Sequence, residues 1–98
     1  MIIVIAKAQL RADARAALLA AVPAQLAQTR AEAGCIEYGA YQSLEDPQAI
    51  VFVERWRDRA AVDAHMGTPY TQAFLDLAAG SVLAPPSIEF FDVGAARS

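Results

Sequence analysis

The chain has a single histidine, His65, and a single tryptophan, Trp56, and both fall in the run VERWRDRAAVDAH, Val53 to His65, with Glu54 two residues ahead of the tryptophan. A histidine titrates near pH ~6.5, so it can take a proton at neutral pH, and a neighbouring carboxylate favours the charged ring and fixes its orientation. His65 is thus a candidate base and Glu54 a candidate orienting partner. The competing reading is structural: a lone histidine on an apolar helix face is commonly a hydrogen-bonded core residue. Trp56, Phe52, Tyr38, Tyr70 and Phe74 can likewise wall a binding cleft or simply pack a core.

Other reactive types narrow the chemistry. Cys35 has no evident basic neighbour to lower its thiol pKa and reads as a small apolar residue; as the only cysteine it forms no intrachain disulfide, and with one histidine it builds no zinc cage. A glycine-rich phosphate loop, a G-x-S-x-G elbow and a C-x-x-C pair are all absent from the sequence. The 8 basic and 11 acidic side chains give a formal charge of −3, and the basic residues are dispersed, which argues against nucleic acid as a partner. No metal is expected.

The elements that must position these residues follow from periodicity. Ile2 to Gln9 is β-branched and reads as a strand. Ala12 to Ala33 reads as a helix ending at Gly34, with Leu18, Val22 and Leu26 on one stripe and a kink expected at Pro23. Cys35–Leu44 and Ala49–Arg57 form a hairpin across EDPQ. Asp58 caps a short helix to Met66, Gly67 ends it, and Thr68-Pro69 opens a last helix to Ala79 carrying Tyr70, Phe74 and Leu77. Ile88–Val93 is the final strand. The order β-α-β-β-α-β is the ferredoxin-like arrangement, an α+β fold with a four-stranded antiparallel sheet and helices on one face. Residues 1–98 read as one domain, with 1–94 as ordered core and 95–98 as a tail.

Alternation in the third strand puts Glu54 and Trp56 on one face with Ile50 and Phe52, and Arg55 and Arg57 on the other. In the following helix His65 comes three and four residues after Val62 and Ala61, on its apolar side. Both groups are then expected to line the cleft between sheet and helices. Both faces of the sheet carry apolar residues, Ile2/Val4 against Ile3/Ile5 and Ile50/Phe52 against Val51/Val53, in a chain that is 56% hydrophobic. Helices cover one face only, so a homodimer joined sheet to sheet, a dimeric α/β barrel, is expected. The start MIIVIA is broken by Lys7, lacks a basic leader, and no run reaches the ~20 residues of a membrane span, so a soluble cytoplasmic protein is expected.

The segments EAGCIEY (Glu32 to Tyr38), FVERWRDRAAVDAH (Phe52 to His65) and TPYTQAF (Thr68 to Phe74) resemble, in order and spacing, the antibiotic biosynthesis monooxygenase family. The resemblance implies small dimeric ferredoxin-like proteins that oxygenate electron-rich aromatics, such as quinols, anthrones or polyketide-like rings, with O₂ and without a cofactor. It also implies that His65 is the helix histidine, Glu54 and Trp56 the E-x-W strand, and Tyr70 and Phe74 the aromatic helix. Tyr38 and Phe52 complete the expected substrate-binding set. Haem-degrading relatives use an asparagine and a histidine where this chain has Lys7 and about Leu75, which speaks against haem. Two other readings stay open: an isomerase or lyase on a small anionic metabolite, with Arg55, Arg57 and Lys7 as the available cations, and a dimeric ligand-binding protein without chemistry.

Overall fold

The computed structural model describes residues 1–94; the tail expected at 95–98 lies outside the described residues. The elements run β1 (Ile2–Gln9), α1 (Arg15–Arg30), β2 (Cys35–Gln42), β3 (Ala49–Trp56), α2 (Arg59–Met66), α3 (Pro69–Ala79) and β4 (Ser87–Asp92). All strand pairs are antiparallel and the strand order is β2-β3-β1-β4, the expected ferredoxin-like βαββαβ topology.

Local chemistry explains the boundaries. Asp58 caps α2 by accepting from the Ala61 backbone N–H at 2.9 Å, and Thr68 caps α3 by accepting from Thr71 at 3.3 Å, with Pro69 at the first turn where its missing N–H costs nothing. Helix α1 is shorter than expected, starting at Arg15 and ending at Arg30. Its front end lacks a side-chain cap. At its back end the Glu32 and Cys35 amides turn onto the Thr29 and Glu32 carbonyls, so residues 31–34 form a tight turn in place of a further helical turn. Helix α1 continues through Pro23.

The buried stripe of α1 also differs from the expected one. Leu18 and Val22 are on it as anticipated, but the next positions are Gln25 and Thr29, while Leu26 is only half-buried. The helix therefore turns two polar side chains toward the interior, which its purely apolar reading did not anticipate.

In β3 burial alternates strictly, with Ile50, Phe52, Glu54 and Trp56 facing the helices. Register aligns them with neighbours: Tyr38, Glu54, Val4 and Phe90 form one row across the four strands, and Ala40, Phe52, Ala6 and Ile88 form the next. Ala6 and Ala40 flank Phe52 with small side chains, so this second row leaves space above the sheet. The opposite face carries Ile3, Ile5, Val51 and Val53 with Phe91 and Tyr41, the last two 41% and 54% exposed. Among the described residues no helix is long and apolar enough to cross a membrane.

Candidate active site

The space above the alanine row is a cavity of about 100 Å³ between sheet and helices. Its floor is the two register rows just described, Ala40 excepted, with Ala8 and Ile50 beside them. Its roof comes from α2 and α3, through Val62, His65, Thr71, Phe74 and Ala78, and from Leu18 and Gln25 of α1. Apart from a few polar groups the lining is apolar. The mouth lies toward β4, where Ile88 and Phe90 remain 42% and 43% exposed and Arg59 sits 5.3 Å over the Phe90 ring.

His65 is 3% exposed and stands in the cavity wall. Its ring is held between two aromatics, the Trp56 ring at 4.6 Å and the Tyr38 ring at 5.5 Å, centre to centre. The carboxylate that holds it was not expected. Glu32 Oε2, in the turn after α1, lies 2.8 Å from His65 Nδ1. The Tyr70 hydroxyl donates to the same Glu32 oxygen and also lies 3.2 Å from the Gln28 carbonyl. An ionised carboxylate offers only lone pairs, so Nδ1 carries a hydrogen, and in the neutral ring the lone pair is on Nε2. Thr71 Oγ1, 3.4 Å from Nδ1, accepts from Gln25 at 3.2 Å and ties the site to the polar stripe of α1. No hydrogen bond reaches Nε2 among the described residues.

Glu54 was expected to orient His65; it instead accepts from the Trp56 indole N–H through Oε1 at 2.9 Å. Residues two apart on a strand share a face, and that proximity gives the indole the carboxylate before the histidine can reach it. Glu54 is 8% exposed and lines the cavity. Burial drives its carboxyl upward from the usual range, partly countered by the Trp56 hydrogen bond and the nearby His65.

The aromatic residues divide into two groups. Tyr38, Phe52 and Phe74 line the cavity, with Phe52 and Phe74 packed edge to face at 5.7 Å. Trp56 does not line it: fully buried, it is the wall behind His65. Tyr70 does not line it either, because it lies one position round the helix from Thr71, which takes the inward place, and so turns toward α1 and Glu32. Leu77, expected on the same stripe, is 39% exposed. Burial pushes the Tyr38 hydroxyl well up, with Glu54 adding to it. Burial, Glu32 and Glu54 together raise the Cys35 thiol, which keeps it in the neutral, unreactive form.

Glu32 was the residue that sequence reasoning missed. Its signal was in the sequence: Leu18, Val22, Gln25, Thr29 and Glu32 are spaced four, three, four and three apart, a helical seam that becomes polar toward the end that meets His65. Replacing Glu32 with Gln removes a charge-assisted hydrogen bond of about 1.5–3 kcal/mol. The imidazole nitrogens, read by ¹⁵N NMR, are expected to change from a single Nδ1–H tautomer to a mixture. If a reaction uses this ring, its rate is expected to fall about 10–100-fold.

A ferredoxin-like sheet whose helix-covered face encloses an apolar chamber, with one oriented imidazole in its wall, defines a small α+β domain built around a buried cavity. The chain belongs to the antibiotic biosynthesis monooxygenase family, whose model matches residues 1–77. That span contains Glu32, Glu54, Trp56, His65 and Tyr70. The Mycobacterium tuberculosis protein Rv0793, provisionally named a monooxygenase, is 45% identical over 67 residues, which is 68% of this chain and 65% of that protein. Its solved structure superposes with a TM-score of 0.91 at 33% identity, covering 99% of this chain and 98% of that one. An uncharacterised Synechocystis protein, sll1783, is 28% identical over 92 residues, 94% of this chain and 63% of its own length. The match thus spans somewhat under two thirds of these two relatives' full lengths. A crystal structure described as an antibiotic biosynthesis monooxygenase gives a TM-score of 0.90 at 27% identity, covering 97% of this chain and all of that one.

Proposed function

We propose that the protein is a cofactor-independent monooxygenase acting on an electron-rich hydroxyarene of the quinol, anthrone or polyketide-like kind, with His65 as the base. The observation that carries this reading is the histidine itself: buried in an apolar cavity, fixed through Nδ1 by Glu32, and without a partner at Nε2 among the described residues. A core histidine needs partners for both nitrogens, whereas a base needs one nitrogen left for its substrate. Family membership supports the monooxygenase class. Taking the phenolic proton inside an apolar chamber leaves an anion with raised ring electron density, able to pass electrons to O₂; the substrate supplies the reducing power. Tyr38, Phe52 and Phe74 give the flat apolar walls such a ring requires, and Trp56 holds the imidazole from behind.

The cations speak against an anionic metabolite, and so against the isomerase or lyase reading. Arg55 lies beside Glu37 and Arg57 beside Asp58, each at 3.2 Å and away from the cavity. Among the described residues, Lys7 is the one lysine or arginine that lines it.

The test is oxygen uptake by metal-stripped protein with 1-naphthol and anthrone, each of which has a hydrogen para to its oxygen when anthrone is taken as its enol. The expected result is one O₂ consumed per quinone formed, and no turnover in anaerobic buffer. Conversion without oxygen favours an isomerase or lyase. Recovery of an unchanged, bound probe after aerobic incubation favours a ligand carrier.

The working unit we propose is a homodimer joined through the outer sheet face, where Ile3, Ile5, Val51, Val53 and Phe91 form an apolar patch that no helix covers. Sedimentation at micromolar concentration is expected to give a dimer. Val53→Glu, at the centre of that face opposite Ile5 and Gly39, is expected to give a monomer. A monomeric parent overturns the proposed assembly.

A further inference from the structure

We propose that Glu54 is the acid of this site: it holds a proton and delivers it to the oxygen that O₂ contributes, while His65 acts as the base. The proposal rests on the oxygenation reading and assigns its second proton. The geometry points to it in three ways. Glu54 stands in the cavity floor, in the row Tyr38–Glu54–Val4–Phe90, in the same chamber as His65. Its Oε1 is fixed by the Trp56 indole at 2.9 Å, and no hydrogen bond reaches Oε2 among the described residues, so the second oxygen is left for the chamber. Among the described residues no arginine or lysine pairs with it: its sequence neighbour Arg55 pairs with Glu37 on the opposite face, Arg57 with Asp58 in solvent, and Lys7, which also lines the chamber, makes no ion pair with Glu54.

The titratable groups around it are His65, Glu32, Tyr38 and Cys35. Glu32 disfavours a second negative charge, while His65 favours it. Burial outweighs both and raises the carboxyl from its usual range. The two groups are held apart in one chamber, His65 by Glu32 through Nδ1 and Glu54 by the indole through Oε1, which leaves one to accept a proton and the other to supply it.

The protons and electrons balance. His65 takes the phenolic proton, and the resulting anion gives two electrons in succession to O₂, forming a carbon–oxygen bond at the ring carbon para to the oxygen. That carbon is oxidised and O₂ is reduced to the peroxide level. Glu54 gives its proton to the terminal peroxide oxygen and becomes a carboxylate. The carboxylate then takes the hydrogen on the same carbon as a proton, the O–O bond breaks and the C=O bond forms. The departing hydroxide takes the proton held by His65 and leaves as water. Both residues return to their starting states, and the sum is hydroxyarene plus O₂ giving quinone plus water.

The test is Glu54→Gln, which preserves size and can still accept from the Trp56 indole through its amide oxygen, so any structural role is retained. With 1-naphthol and anthrone, kcat is expected to fall at least 100-fold, as for loss of a general acid. The parent is expected to lose activity at high pH as Glu54 ionises, and that loss is expected to vanish from the residual rate of the variant. The thermal midpoint is expected to hold or rise at pH 8. A carboxyl whose folded pKa is raised contributes most below the unfolded value of ~4.3 and loses that contribution as pH rises, whereas Gln does not titrate. Turnover within threefold of the parent overturns the acid role alone. A parent that leaves both probes untouched overturns the oxygenation reading and the acid role with it. Should the variant not fold, infrared difference spectroscopy of the parent decides: a protonated, buried carboxyl band at pH 7 is expected, and its absence overturns the proposal.

Discussion

His65→Gln is expected to reduce kcat/KM for hydroxyarene oxidation by about 10²–10⁴-fold while leaving the protein folded. Glutamine occupies most of the imidazole volume between Trp56 and Tyr38 and can still bond Glu32, but it has no lone pair basic enough to take a phenolic proton. Alanine is the poorer choice, because it leaves a hole beside a fully buried indole and mixes lost packing with lost chemistry. The decisive comparison is between rate and stability. A base loses rate with little change in thermal midpoint; a core histidine loses stability and leaves rate per folded molecule unchanged. Added imidazole, small enough to enter the cavity of a His65→Gly variant, is expected to restore part of the rate, an outcome that packing alone does not produce. If His65→Gln oxidises 1-naphthol and anthrone as fast as the parent, another group accepts the proton.

Much of the fold was legible because it rests on local rules. The β-branched run Ile2–Gln9 is β1, and the caps at Asp58 and Thr68 fall where a short acceptor side chain precedes a helical run. The inward face of β3 was legible because a strand leaves no choice: once Ile50 and Phe52 are inside, Glu54 and Trp56 must be too. The position of His65 on the buried side of α2 followed from the same kind of reasoning at helical spacing.

Pairing within the site was less legible, since it depends on elements far apart in the chain. Glu32 and His65 are 33 residues apart and meet because α1 stops at Arg30, so that the turn at 31–34 points its carboxylate at α2. Reading α1 as continuous to Ala33 kept Glu32 on the polar end of the helical seam but gave no reason for its carboxylate to turn toward α2. Tyr70 and Thr71 are adjacent, and a helical rotation of about 100° between neighbours decides which faces the cavity. The larger aromatic was expected inside. Thr71 goes inside because its hydroxyl accepts from Gln25, whereas Tyr70 reaches Glu32 along the rim. In both cases a polar partner on α1 decided the matter, and an apolar periodicity does not register polar partners.

Trp56→Ala is expected to be the most destabilising single change away from the proton-transfer groups, by about 3–5 kcal/mol. The indole has no solvent exposure, packs against the Tyr38 ring at 6.5 Å, and backs the His65 ring at 4.6 Å. Its removal opens a large cavity and also frees Glu54 Oε1 inside the protein, so two costs add. For a domain of this size each kcal/mol moves the thermal midpoint by roughly 4–8 °C, so a fall of about 12–40 °C is expected at fixed protein concentration. Trp56→Phe separates the two costs. It restores most of the packing and lacks the N–H, so the stability loss is expected to shrink to about 1–3 kcal/mol, the penalty of an unsatisfied buried acceptor. The two variants are also expected to differ in rate per folded molecule. Phe still supports the imidazole from behind, whereas Ala lets the ring leave the geometry set by Glu32. A Trp56→Ala protein as stable as the parent would mean that the indole is not the wall on which the histidine rests.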